Sequence, residues 1–92
     1  MPTWRVDIAA EPAVDDLERF FEDWREALGR DDEVRLIEAS SEPDERFVRA
    51  TLAVDAPTEG RAEYVAANAH ARAGSEAGSG RGLSLQVEAQ PL

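Results

Sequence analysis

Cysteine and lysine are both missing from this 92-residue chain, and histidine, tyrosine and methionine each occur once. Without cysteine there are no disulfides, no thiolate nucleophile and no Cys-based zinc site. Without lysine, all ten bases are Arg, set against twenty acids for a formal charge of -10. Such a surface repels nucleic acid and anionic lipid, because binding either requires clustered cations that displace counterions. No nucleic-acid or membrane partner is therefore expected. Long apolar runs are also lacking: nothing approaches the roughly 18 residues of a membrane span. The opening Met1-Pro2-Thr3-Trp4-Arg5-Val6-Asp7 has no signal-like core, so a cytoplasmic location is expected.

Apolar residues make up 42% of the chain and charged ones 33%. That apolar share is too high for a disordered chain, even at this net charge. The length fits a single domain spanning residues 1–92, with a small core. A chain of this size buries roughly 60–65% of its unfolded surface, which leaves stability modest and self-association a natural supplement. The preference for Ala, Arg, Asp and Glu over Lys, Asn and Ile matches a GC-rich bacterial genome.

The strongest pattern lies between Val14 and Leu28. Val14, Leu17, Phe20, Phe21, Trp24, Ala27 and Leu28 recur at i, i+3, i+4 and i+7, one apolar stripe of an amphipathic helix. Pro12 suits its first turn, and Gly29 is the expected left-handed cap. The opposite side carries an acidic stripe of Asp15, Glu18, Glu22 and Glu26 with Arg19 among them, only partly compensated by i, i+4 pairs. A helix this amphipathic needs a sheet or another helix to cover its apolar side.

Four alternating segments supply that sheet. Trp4, Val6, Ile8 and Ala10 alternate with Arg5, Asp7 and Ala9 in the first. The second, Glu33 to Ala39, changes phase: Val34 and Leu36 point one way and Ile37 and Ala39 the other, as an edge strand apolar on both sides or a bulge near Leu36 would require. Ser40 to Glu45 has hairpin-loop composition. In the third segment, Arg46 to Asp55, Val48, Ala50, Leu52 and Val54 face inward and Phe47, Arg49, Thr51 and Ala53 outward. A second helix runs from Pro57 to about Ala73, with Ala62, Val65, Ala66, Ala69 and Ala73 inside. Gly74 to Gly82 reads as a flexible connector, and Leu83, Leu85, Val87 and Ala89 mark the fourth strand.

The order strand, helix, strand, strand, helix, strand predicts an α+β, ferredoxin-like βαββαβ two-layer sandwich. Its antiparallel sheet would have the order 4-1-3-2, with both helices on one face. That architecture hosts many unrelated functions.

Residues that could carry chemistry are few. His70 lies on the flank of the second helix with no nucleophile or second ligand at helical spacing, so a boundary position without a role is expected. The Gly74 to Gly82 segment follows a helix and opens a strand, the reverse of a phosphate-binding loop. Glu11, Glu42, Asp44, Glu45 and Glu76 belong to three loops expected at one end of the sheet, but their order matches no calcium loop, and solvated acids are expected there. Single-stranded RNA readers stack bases on sheet aromatics; only Phe47 fits, and the net charge opposes it. No catalytic residue, metal ligand or cofactor is assigned.

Two surfaces read as contact sites. On the open sheet face, Ile37, Ala39 and Phe47 are expected as neighbours, with Arg49 a further candidate contact. On the outer side of the second helix, Gly60, Tyr64, Ala67 and Ala71 form an uncharged strip. The expected function is a small acidic interaction module that forms a homodimer or binds a protein partner, a basic one given the acidic stripe. The alternatives are a small enzyme or ligand-binding protein of the dimeric α+β barrel type, which would need polar groups converging on a cavity, or an accessory subunit of a larger assembly.

Overall fold

The computed structural model of the chain describes residues 1–78 and 84–92. Leu83 and residues 79–82 of the Gly74 to Gly82 connector lie outside them. The elements are β1 (Thr3–Glu11), α1 (Leu17–Arg30), β2 (Arg35–Glu42), β3 (Phe47–Asp55), α2 (Glu59–Glu76) and β4 (Ser84–Pro91). The fold is α+β, with one four-stranded antiparallel sheet and two helices. Its strands lie in the order β2-β3-β1-β4; counted from the β4 edge the order is four, one, three, two.

One sheet face is apolar because the alternation of β1 and β3 is in register. Val6 pairs with Leu52, Ile8 with Ala50 and Ala10 with Val48. These residues form one buried cluster with Leu17, Phe20, Trp24 and Leu28 of α1 and Ala62, Ala66, Ala69 and Ala73 of α2, so both helices cover the same face. Trp24 and Phe20 are its largest fully buried side chains. Alanine in α2 lets its backbone lie close to the strands, and the aromatic bulk of α1 fills the remaining space.

The helix ends differ from expectation. α1 starts at Leu17, because Asp16 is its N-cap: its backbone is extended (φ -107, ψ 91), and its carboxylate accepts from the Arg19 N–H at 3.1 Å. Pro12 therefore precedes the helix, and Asp15 lies outside the acidic stripe. At the other end the helix passes through Gly29 and stops at Asp31, whose N–H donates to the Leu28 carbonyl at 3.2 Å and whose carboxylate accepts from the Glu33 N–H at 2.9 Å. A carboxylate turn does the work expected of a glycine cap. α2 likewise continues through Gly74 to Glu76, and the left-handed residue comes later, at Gly78 (φ 88).

The phase change in β2 is a bulge. Leu36 pairs with Leu52 and Glu38 with Thr51, leaving Ile37 as the extra residue. Beyond it the phase is restored, and Ala39 pairs with the inward-facing Ala50 and packs against the core. β2 extends to Glu42, so the hairpin turn is shorter than expected. Arg46 closes the turn in a left-handed conformation (φ 58), and its guanidinium donates to the Val14 carbonyl, tying the hairpin to the segment before α1.

The helices meet through their C-terminal halves. Trp24 contacts His70, Arg30 pairs with Glu76 at 3.5 Å, and Arg72 grips Asp31 with Nε at 3.1 Å and a terminal nitrogen at 2.7 Å. Two C-termini side by side concentrate partial negative charge, and Arg30 and Arg72 are placed to offset it.

Candidate interaction surface

The sheet face turned away from the helices carries the alternate residues of all four strands. The register lines them up in rows. Across the middle, Glu38 is opposite Thr51, Thr51 opposite Asp7 and Asp7 opposite Glu88, so three carboxylates share one row. On one side lie Arg35, Ala53, Arg5 and Gln90; on the other, Ser40, Arg49, Ala9 and Gln86. Small residues beside the arginines leave an open trough of about 610 Å³ lined by Arg5, Asp7, Glu38, Arg49, Gln86 and Glu88, among others.

Asp7 is the best-anchored group in the trough: it accepts from the Thr51 hydroxyl at 2.8 Å and from Arg5 Nε at 3.4 Å. Thr51 is buried, which fixes that oxygen acceptor in place. Among the described residues Glu38 makes no salt bridge, and Glu88 accepts a side-chain hydrogen bond only from the Gln90 amide, at 3.4 Å. Arg49 lies over the Phe47 ring, 4.8 Å from its centroid, a contact worth ~0.5–1 kcal/mol at an exposed site. Phe47 and Arg49 also line a smaller depression with Glu11 and Glu45.

The expected apolar cluster on this face is not assembled. The bulge turns Ala39 inward, and Ile37, 55% exposed, sits level with Thr51, four residues along β3 from Phe47. That spacing is roughly 13 Å. Of the candidate contacts on this face, Phe47 and Arg49 adjoin. Nothing in the sequence marks Asp7, Glu38, Gln86 and Glu88 as a set. Their outward phase was readable on β1 and β4, but the row they share with Thr51 needs the strand register and, for Glu38, the bulge.

On α2, Gly60, Tyr64 and Ala71 are exposed and Ala67 is half-buried. Tyr64 is 56% exposed, but Arg61 stacks over its ring at 4.9 Å, so the strip is charged at that end. On α1, Glu18, Glu22 and Glu26 are exposed as expected. Arg25 engages Glu22 at 2.9 Å and Arg30 engages Glu26 at 3.4 Å, which leaves Glu18 the least compensated.

His70 is not a boundary residue. It is 2% exposed, and its Nδ1 accepts from the indole N–H of the fully buried Trp24 at 3.0 Å, with the rings edge-on at 5.8 Å. Its Nε2 has no hydrogen-bond partner among the described residues. Burial pushes its pKa below the usual histidine value, since the charged form loses its hydration. Of the acids expected at one end, Glu11 and Glu45 line one depression, whereas Glu76 belongs to α2 and pairs with Arg30. Among the described residues no group of three or more His, Asp or Glu side chains is arranged to hold a metal ion. No described helix is long and apolar enough to cross a membrane.

No protein-family model matches the sequence, and the curated proteins contain no match to it.

Proposed function

We propose that the chain is a small, acidic, non-catalytic interaction module of ferredoxin-like topology that binds a protein partner in the cytoplasm through the uncovered sheet face. The observation that carries this reading is the trough. Both helices lie on one side of the sheet, and the other side presents an acidic row in which, among the described residues, Glu38 has no salt bridge and Glu88 accepts only a long bond from Gln90. A basic segment laid across the middle row would meet Glu38, Asp7 and Glu88 in turn, while Phe47 with its stacked Arg49 offers an apolar and cationic end. The net charge of -10 favours the same kind of partner at long range.

The trough is shallow and polar, unlike the enclosed apolar pockets that hold small molecules, which weighs against the ligand-binding alternative. The α2 strip is the weaker surface, because Arg61 interrupts it.

Native mass spectrometry of the protein recovered from its source cells tests this reading. The complex should persist with Tyr64→Asp and be lost with Phe47→Asp combined with Arg49→Glu. Equal retention in both variants would refute the sheet-face assignment.

A further inference from the structure

β4 is an edge strand. Its inner side pairs with β1 without interruption, from Trp4 opposite Pro91 to Glu11 opposite Ser84, and among the described residues nothing pairs with its outer side. Such an edge presents a row of free N–H and C=O groups, which folded proteins ordinarily blunt with bulges, charges or proline. The opposite edge is blunted: β2 carries the Ile37 bulge and the exposed charges Arg35, Glu38 and Glu42. β4 has no irregularity in its ladder, one charged residue, Glu88, and a proline only at its last position.

We propose that β4 pairs antiparallel with β4 of a second copy across a two-fold axis at Val87, joining two sheets into one. The axis stands normal to the sheet and keeps the helices of both copies on the same side. Around it, Val87 faces Val87 on the helix side. On the open side each Gln86 faces Glu88 of the second copy, so a side-chain amide donates to a carboxylate twice, once on each side of the axis. The segment paired in this register runs from Ser84 to Gln90 and stops short of Pro91, which has no N–H to give. Moving the axis one residue to Glu88 brings two like charges face to face and draws Pro91 into the ladder. Moving it to Gln86 shortens the pairing to residues 84–88. The strand is thus its own best complement at one register, a condition an isologous interface must meet.

This inference concerns the protein alone and does not depend on a partner at the sheet face. Gln86 and Glu88 are exposed, so substitutions there leave the core intact. Sedimentation equilibrium of the purified chain over a concentration series should show a monomer–dimer equilibrium. Gln86→Arg, which sets two Arg–Glu pairs across the axis, should tighten it about tenfold, and Gln86→Glu should weaken it about tenfold. Added salt should tighten the wild-type dimer by screening two copies of charge -10. Phe47→Asp should leave the equilibrium unchanged. A monomer at every concentration would overturn the proposal. So would a dimer indifferent to both Gln86 variants, or one abolished by Phe47→Asp, which would place the contact on the sheet face.

Discussion

At the scale of single residues, the Trp24–His70 hydrogen bond is the most consequential contact. It joins α1 to α2 inside the core and requires the imidazole to be neutral, since a protonated ring has no acceptor to offer the indole. The folded-state pKa lies below the ordinary value of 6.5, so the unfolded chain takes up the proton first as pH falls. The stability held by neutral His70 is therefore complete above pH 6.5 and declines from there until the folded-state pKa is passed. Urea midpoints measured from pH 8 to pH 5 should fall for the wild type. His70→Leu should flatten that slope while lowering stability at pH 8, because the Trp24 N–H is then buried without an acceptor. An unchanged slope in the variant would assign the acid sensitivity elsewhere. Asp55 acts in a separate window. Hydrogen bonds from Thr3 at 2.5 Å and Arg35 at 3.3 Å hold its carboxyl below the usual aspartate value, so its contribution is lost only in stronger acid. None of this was readable from spacing: His70 and Trp24 are 46 positions apart, and a lone histidine at the flank of an alanine-rich helix carries no sign of a partner on another element.

At the scale of elements, the sequence was most legible where one period ran undisturbed. The i, i+3, i+4, i+7 stripe of α1 and the alternation of β1 and β3 mark the residues that build the core, although Thr51 and Ala53 on the outward phase of β3 are buried as well. Legibility failed at the boundaries, where one hydrogen bond outweighs a pattern. Asp16 captures the Arg19 N–H and starts α1 after Asp15, and Asp31 terminates it where Gly29 was expected to. A single extra residue at Ile37 decided which side of β2 faces the core, turning Ala39 inward and dispersing the expected apolar cluster. Asp31 also shows how a cap can serve two elements. Its side chain is 10% exposed, accepts from the Glu33 N–H and takes two hydrogen bonds from Arg72 of α2. Asp31→Ala should cost about 1–3 kcal/mol in chemical denaturation, the range for losing a charge-assisted bond and a cap together. Arg72→Ala should cost less, since its guanidinium is half exposed and returns to water. The reverse order would contradict the placing of Asp31 as the pivot of the helix contact.

For the molecule as a whole, the division of labour is between two sheet faces. One is spent on stability, covered by the aromatic stripe of α1 and the small residues of α2. The other was legible as polar from the outward positions of β1 and β3, yet its organisation into an acidic row flanked by arginines depends on cross-strand register, which no single segment encodes. A net charge of -10 over a compact chain keeps like molecules apart at low salt and attracts basic partners. That bias acts together with the exposed carboxylates Glu38 and Glu88. The most direct measurement is site-specific photocrosslinking in the source cells, with the crosslinking residue at Ala9 in the trough or at Ala71 on α2, followed by mass spectrometry of the adducts. One defined adduct from Ala9, to a basic segment of another protein, and none from Ala71 is the expected result. A defined adduct from Ala71 with none from Ala9 would contradict it.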